Sequence, residues 1–372
     1  MEAVLTKVTL PLKVVQDLVV KVSKGSTMID VIPVSCLIQL KVRDNILTVR
    51  TTDNSTHVLG IANVDCPDFE LCVNTTKFTA LISKLSCENV TFISDGNKLT
   101  IQGNGVYNIP LDAQVNEQVG VLFGDVIFDC VTSKHLSTLE FSTIDTLSKT
   151  CKSDTKEVPC LYNYYFDSNG TLTTNTFKAC YNPLVASEVP VLLSPSLIDL
   201  AKTCTVNDYG IDIGQNESQV MFYSEDVQSG TKYYVIGKKC SQADLDAFPH
   251  RQLTELMSTT PNSYREINRS DLLGATERIG LFTEKLDKTR INVTFSQDSL
   301  TIKEVNSESA EVVNYVDKSS SEVQEVSMNI SCEDLVRTLN AFPERLQITP
   351  LEVGVHLHTN NVKVVLCQVG ED

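Results

Sequence analysis

A short strand pattern that recurs three times constrains the fold of this chain more than any other feature of its sequence. Leucine–threonine pairs stand at Leu47-Thr48, Leu172-Thr173 and Leu300-Thr301, 125 and 128 residues apart. Each pair follows a turn-forming stretch containing Asn, Asp, Ser or Gly, as the second strand of a β-hairpin does. A repeat at a regular period indicates copies of one structural unit, and about 125 residues is an ordinary domain size.

A helix is predicted on either side of each repeated strand. The preceding segments, 12–24, 132–149 and 268–286, have apolar residues at helical spacing. The following segments start near residues 74, 194 and 331 with an Asn, Ser or Thr that suits a helix N-cap. Further strands close each unit. The sequence therefore predicts three α+β domains, 1–118, 124–248 and 258–372, with polar connections at 114–124 and 241–263.

Several classes of protein find little support in the sequence. No apolar run approaches the length of a membrane span, and the first residues lack the features of a secretion signal. Twelve cysteines show neither CxxC nor zinc spacing, which favours reduced thiols in a cytosolic protein. No phosphate-binding loop or nucleophile elbow is present. His356 and His358 share one side of a predicted strand near Cys367, but we expect strand residues rather than a metal site.

Two alternative interpretations stay open at this point. Eight Asn-x-Ser/Thr sequons are compatible with a secreted or viral-surface β-rich glycoprotein. Free thiols and an unmodified Asn169 would argue against that class. A hydrolase with an unrecognised site is the other alternative, although no nucleophile–base pattern supports it.

The third repeat carries the most specific resemblance to a known family. Residues 284–293, the strand 299–302 and the acidic stretch 308–311 resemble successive motifs of the bacterial DNA polymerase III β sliding clamps. Residues 329–331 and 339–341 resemble that family's N-V-S and L-N-A motifs. Residues 51–54 resemble its strand-ending T-D, and residues 174–178 stand where it has T-D-G-H-R. The last residues, 366–372, depart from the family's usual terminus, which fits a divergent phage or viral member.

The resemblance implies a three-domain DNA clamp fold, in which each domain packs two helices on antiparallel sheets. Two chains would assemble head to tail into a homodimeric ring, with the helices lining the hole. The implied function is that of a non-catalytic processivity factor for DNA replication. It encircles double-stranded DNA without sequence preference, tethers a DNA polymerase and needs a clamp loader. No cofactor is expected, and the implied location is the cytoplasm of a bacterium or of a phage host.

The charge distribution agrees with a ring around DNA. The chain carries a net charge of −16, but its six predicted helices together carry +5 and the remainder −21. Positive helices suit contacts to phosphates that do not depend on sequence. An acidic exterior would discourage DNA from binding outside the ring. The candidate DNA-facing residues are Lys13, Lys21, Lys24, Lys77, Lys84, Lys134, Lys149, Lys152, Lys202, Arg269, Arg278 and Arg337.

The resemblance also implies a pocket that receives a short hydrophobic peptide of polymerases and of the clamp loader. Such a pocket would be an apolar cleft with a few orienting polar groups. The candidate residues, carried over from the family, are Thr174, Thr176, Phe177, Lys178, Phe248, Pro249, Leu253, Leu286, Asn329, Val353 and Leu366.

Overall fold

A computed structural model describes residues 6–27, 33–112, 123, 132–258, 264–283, 290–306, 308–318, 325–359 and 362–370. Strands β1 to β13 span Thr6–Pro11, Leu37–Arg43, Ile46–Thr52, Thr56–Asn63, Phe69–Asn74, Asn89–Ser94, Lys98–Gln102, Val106–Pro110, Thr132–Leu136, Tyr164–Asp167, Gly170–Thr174, Lys178–Asn182 and Val191–Leu193. Strands β14 to β25 span Ile211–Gln215, Gln219–Asp226, Thr231–Lys238, Arg265–Asn268, Arg290–Phe295, Ser299–Glu304, Ala310–Asn314, Asp317–Lys318, Val326–Ser331, Arg345–Leu351, Gly354–His358 and Lys363–Cys367. Helices α1 to α10 span Leu12–Val22, Thr75–Ile82, Thr138–Thr143, Lys149–Cys151, Pro159–Tyr162, Pro195–Cys204, Gln242–Ala247, His250–Ser258, Arg269–Gly280 and Cys332–Leu339.

The three repeated strands each form the second arm of a hairpin, as predicted. They are β3, β11 and β19, which pair antiparallel with β2, β10 and β18. In the first hairpin, Asp44 and Asn45 both have positive φ angles, 51° and 63°. Two consecutive left-handed residues are the requirement of a tight hairpin turn, and Asn and Asp tolerate that conformation.

The predicted helices are present, but the one predicted over 268–286 ends at Gly280, and the second repeat differs from the prediction at its start. Residues 132–136 form the strand β9, which pairs with β14 along its whole length, and only then does helix α3 begin. The prediction of a helix over 132–149 was therefore wrong for its first turn. Leucines at helical spacing made this segment look like a helix. So short a strand has too few residues to show the alternating pattern of its own. A π-helical turn, Ile144–Ser148, connects α3 to α4.

The second predicted connection also has more structure than expected. Between residues 241 and 258 the chain forms the helices α7 and α8. Ser241 caps α7 by accepting a hydrogen bond from the backbone N–H of Asp244. The first connection, 114–124, lies outside the described residues except for Phe123.

Contacts within the chain divide it into two compact units. The first unit comprises Met1–Phe141 and Ser196–Lys239. It holds a four-stranded sheet, β1-β6-β7-β8, and an eight-stranded sheet, β5-β2-β3-β4-β16-β15-β14-β9. Helix α1 packs on β3, β4 and α2. The approach is close: a Cβ on Gly60 of β4 would lie 2.6 Å from Leu18 Cδ2 of α1, and a Cβ on Gly237 of β16 would lie 2.5 Å from Leu197 Cδ1 of α6.

The second unit comprises Ser142–Pro195 and Cys240–Asp372. It holds a nine-stranded sheet, β13-β10-β11-β12-β25-β24-β23-β17-β21, and a four-stranded sheet, β20-β19-β18-β22. Helices α9 and α10 pack on each other and bury Leu272, Ile279, Leu335 and Leu339 in one core with strands of both sheets.

The predicted middle domain contributes strands to both units. Strands β10 to β13 belong to the second unit, whereas β9 and β14 to β16 belong to the first. The division follows the two wide sheets, each of which is continuous by backbone hydrogen bonds. The three domain boundaries therefore stay a prediction.

Two further observations complete the description. Among the residues that the structure describes, no helix is long and apolar enough to cross a membrane. The eleven cysteines within the described ranges are thiols rather than disulfides, and seven of them are buried.

Candidate nucleic-acid interface and peptide pocket

Helices α1 and α2 turn a lysine-bearing face to solvent. Lys13 lies on α1 and Lys77 on α2, whereas Lys24 lies in the 3₁₀ turn Ser23–Gly25 that follows α1 and Lys84 lies two residues beyond the end of α2. All four side chains are exposed. The opposite sides are buried by Val15, Leu18 and Val22 of α1 and by Phe78 and Ile82 of α2. Burial of the apolar side thus fixes which side Lys13 and Lys77 face.

Lys21 differs from these four lysines because it is half-buried. Its Nζ lies 4.3 Å from the centre of the Tyr233 ring and 3.4 Å from the carbonyl oxygen of Thr205. Burial lowers the pKa of Lys21. A cleft of about 490 Å³ opens beside it, lined in part by Gln16, Asp17 and Asp226. Lys21 therefore helps to hold α1 in place rather than projecting into solvent.

The three candidate arginines are all in ion pairs. Arg278 binds Glu311 through two nitrogens, with Nε 3.1 Å from Oε2. Arg337 Nη1 lies 3.1 Å from Asp154 Oδ2, and Arg269 Nη2 lies 3.1 Å from Glu344 Oε2. The hydrogen bonds from Arg278 and Arg337 lower the pKa values of Glu311 and Asp154. These acids balance the charge of each guanidinium locally.

The remaining candidate lysines have varied surroundings. Lys134 lies on strand β9, not on a helix as predicted, and is partly buried. Lys152 is buried: its Nζ donates to the Ser153 carbonyl at 3.2 Å and lies 4.5 Å from the centre of the Tyr162 ring. We therefore remove Lys152 from the candidate DNA contacts. Lys149 and Lys202 are exposed, on α4 and α6.

A tight turn between β11 and β12 presents the first part of the predicted pocket. Asn175 Oδ1 accepts hydrogen bonds from the backbone N–H groups of Phe177 and Lys178, each at 3.0 Å. Thr176 has a φ of 78°, a conformation that a β-branched residue adopts at a cost. The outcome is that Phe177 stands outward with 68% of its surface exposed.

The C-terminal segment brings the other predicted residues to this turn. Three successive backbone N–H groups donate to three different parts of the chain: Cys367 to the Phe177 carbonyl at 2.8 Å, Gln368 to Val353 at 2.9 Å and Val369 to Asn329 at 2.8 Å. Phe177, Val353 and Asn329, which are up to 176 residues apart in sequence, are thereby gathered around one segment. Thr176, Phe177 and Val353 are exposed, and Pro249 and Asn329 are partly exposed.

Several predicted pocket residues lie beneath this surface instead of lining it. Thr174, Lys178, Phe248, Leu253 and Leu366 are buried. Lys178 and Leu366 are partners in the β12–β25 register, so they are part of the sheet itself. Leu286 lies outside the described residues. The sequence could not distinguish residues that line the pocket from residues that support it. Members of the two groups are either similarly apolar or neighbours on one strand.

Three supporting interactions were missed by the sequence analysis. The buried Nζ of Lys178 lies 2.6 Å from Asp334 Oδ1, at the start of α10. The Phe248 and Tyr165 rings stack with centroids 4.7 Å apart, and His250 stacks on Tyr165 at 5.6 Å. The partners are 156 and 83 residues apart in the first two contacts, so no local pattern could have signalled them.

The histidine pair on β24 is part of the sheet. The His356 and His358 rings stack with centroids 4.9 Å apart. Burial lowers the pKa of His356 to about 4, and both of its ring nitrogens lack a hydrogen-bond partner. Across the described residues, no group of three or more His, Cys, Asp or Glu side chains could hold a metal ion.

Comparison with solved structures identifies the architecture. The DNA polymerase sliding clamp from Pseudomonas aeruginosa matches 98% of this chain over 99% of its own length, with a TM-score of 0.78 and 14% identity. The DNA polymerase III β subunit from Thermotoga maritima (TM-score 0.76) and the DNA polymerase β subunit from Streptococcus pyogenes (TM-score 0.78) match equally widely, each at 14% identity. No protein-family model and no curated protein sequence matches the chain. The comparisons give no support to the glycoprotein alternative. Over almost its whole length, this chain has the fold of the DNA polymerase sliding clamps.

Proposed function

We propose that the chain is a DNA polymerase sliding clamp, a non-catalytic processivity factor that encircles duplex DNA and tethers a replicative polymerase. The observation that carries the proposal is the match of the fold over 98% of the chain to clamps of three different bacteria. The lysine-bearing face of α1 and α2 supports it, since contacts to phosphates suit a protein that must slide along any sequence.

A closed ring requires two copies. Three domains per chain, at 1–118, 124–248 and 258–372, would make a six-domain ring as a head-to-tail homodimer, in which one contact type closes the assembly.

Two sheet edges are suited to that contact. Val106 and Tyr107 are exposed on the edge strand β8, and Val312 is 58% exposed on the edge strand β20. An unpaired edge with apolar side chains readily adds a further strand.

A second copy would therefore pair its β20 with β8. Leu281 and Phe282, at the end of α9, are also highly exposed and would add apolar area to the contact. Burial of such side chains is the main favourable term in association.

The pocket around Phe177, Val353 and Asn329 would receive a hydrophobic peptide of the polymerase and of the clamp loader. An exposed aromatic ring beside an exposed valine suits an apolar peptide anchor, and the nearby carbonyl and amide groups suit orientation of its backbone. The loader would supply the energy to open the ring. The chain would act in the cytoplasm of a bacterium or of a phage-infected cell, without a cofactor.

The proposal is tested by topological retention on DNA, which needs no loader. A linear duplex is anchored to a bead at one end, the purified chain is allowed to thread over the free end, and an antibody then caps that end. A clamp stays bound through a high-salt wash and is released when a nuclease cuts the duplex. Loss in the wash from capped and uncapped duplexes alike would contradict the proposal.

A further inference from the structure

The charged side chains of the two packed helix pairs are arranged in opposite ways. Helices α1 and α2 pack on each other in the first unit, and α9 and α10 pack on each other in the second. Both pairs are candidates for the DNA-facing surface. The sequence analysis counted basic residues on both, without knowing which of them already have acidic partners.

In the first pair the lysines outnumber the acids. Lys13, Lys24, Lys77 and Lys84 are exposed, and none of them is in an ion pair of the described structure. Helix α2 carries no acidic residue, and α1 carries only Asp17. Within the described residues, these four lysine side chains therefore have no acidic partner.

In the second pair every arginine already has a partner. Arg269, Arg278 and Arg337 bind Glu344, Glu311 and Asp154. The same helices carry Asp271, Glu277, Glu333 and Asp334, so they hold more acids than bases. A phosphate that approached these arginines would have to displace a carboxylate and would face the further carboxylates of the same helices.

We infer that this protein holds DNA phosphates chiefly through the lysines of α1, of α2 and of the turns that directly follow them, and that α9 and α10 contribute almost nothing. The inference rests on the proposed function and deepens it, because it assigns the contacts to one part of each chain. Only bases that release counter-ions on binding add to the salt dependence of affinity. Arginines that are already paired release no counter-ions, so the two helix pairs differ in a measurable quantity.

Two triple variants of equal charge change test the inference. Lys13→Gln/Lys24→Gln/Lys77→Gln and Arg269→Gln/Arg278→Gln/Arg337→Gln each remove three positive charges per chain. Because the net charge is matched, a general repulsion from DNA affects both alike. A third variant, with arginine at the same three lysine positions, keeps the charge on α1 and α2.

The measurement is the affinity of each intact variant for a short linear duplex of arbitrary sequence, by fluorescence anisotropy over a range of salt concentrations. Each lost phosphate contact lowers the slope of log affinity against log salt by about 0.9. By the same relation, we expect the slope of the lysine-to-glutamine variant to be smaller in magnitude than that of the parent by about 2 or more. We expect the arginine variant and the lysine-to-arginine variant to keep the slope of the parent.

Equal losses in the two glutamine variants, or a larger loss in the arginine variant, would overturn the inference while leaving the clamp proposal in place. Failure of the unmodified chain to stay on a capped duplex would overturn the clamp proposal, and this inference with it. Circular dichroism and particle mass confirm that each variant is folded and assembled as the parent is.

Discussion

At the scale of single residues, the buried ion pair between Lys178 and Asp334 is central to the candidate pocket. Lys178 keeps only 2% of its surface exposed, and it is the first residue of β12, directly after the turn that presents Phe177. An ammonium group without water needs a charged partner, because desolvation of a lone charge is costly. The pair therefore fixes the start of β12 against the start of α10, beneath the exposed residues of the pocket.

Removal of the acidic partner should destabilise the second unit. We expect Asp334→Asn to lower the free energy of unfolding by about 2–4 kcal/mol, since it leaves a buried, uncompensated ammonium. Urea unfolding measures the change. The control is Asp154→Asn, which breaks the exposed pair with Arg337 and should cost at most about 1 kcal/mol. Similar losses in both variants would contradict this account of Lys178.

The buried histidine of β24 predicts a pH dependence. His356 is 1% exposed, and burial, with smaller effects of His358 and Lys363, lowers its pKa to about 4. In the unfolded chain a histidine titrates near its ordinary value of about 6.5. Between these values the unfolded state binds the proton and the folded state does not, so stability is lost as the pH falls from about 6.5 towards 4.

The loss that belongs to His356 is about 2 kcal/mol between pH 7 and pH 5. His356→Leu should remove that part of the pH dependence and leave the rest. Urea unfolding of both proteins at the two pH values gives the difference. An unchanged pH dependence in the variant would show that His356 is not the group that resists protonation.

At the scale of elements, features that depend on local sequence patterns were predicted, and features that depend on partners distant in sequence were not. The hairpins of β3, β11 and β19 and the helices that flank them follow from turn residues and apolar periodicity, which act within a few residues. Strand β9 was missed because its partner β14 lies more than 70 residues away. The carboxylate partners of Arg278 and Arg337 are also distant in sequence, so the sequence alone overestimated the free positive charge of α9 and α10.

The contact of α1 with the eight-stranded sheet depends on a residue without a side chain. A Cβ at Gly60 would meet Leu18 at 2.6 Å, far inside van der Waals contact. We expect Gly60→Ala to destabilise the protein by about 1–3 kcal/mol through overpacking. Thermal or urea unfolding tests this. Gly370→Ala is the control, since no atom lies within 4 Å of its added Cβ; an equal effect at the two positions would rule out the packing explanation.

At the scale of the whole molecule, the edges β8 and β20 would decide the assembly. We expect Val312→Lys, on β20, to convert the dimer largely to monomer, because a lysine on an edge strand opposes further strand pairing. Val227→Lys is the matched control: Val227 is 74% exposed, but it lies in the turn between β15 and β16. Light scattering gives the mass of each. A dimer that survives Val312→Lys would place the interface elsewhere.

Small-angle X-ray scattering with an absolute mass would show whether two copies form a ring that DNA can pass through. Over a range of concentrations, we expect a particle of twice 41.1 kDa with the scattering profile of a hollow ring. A solid, compact particle at every concentration, whether of one copy or of two, would contradict this expectation.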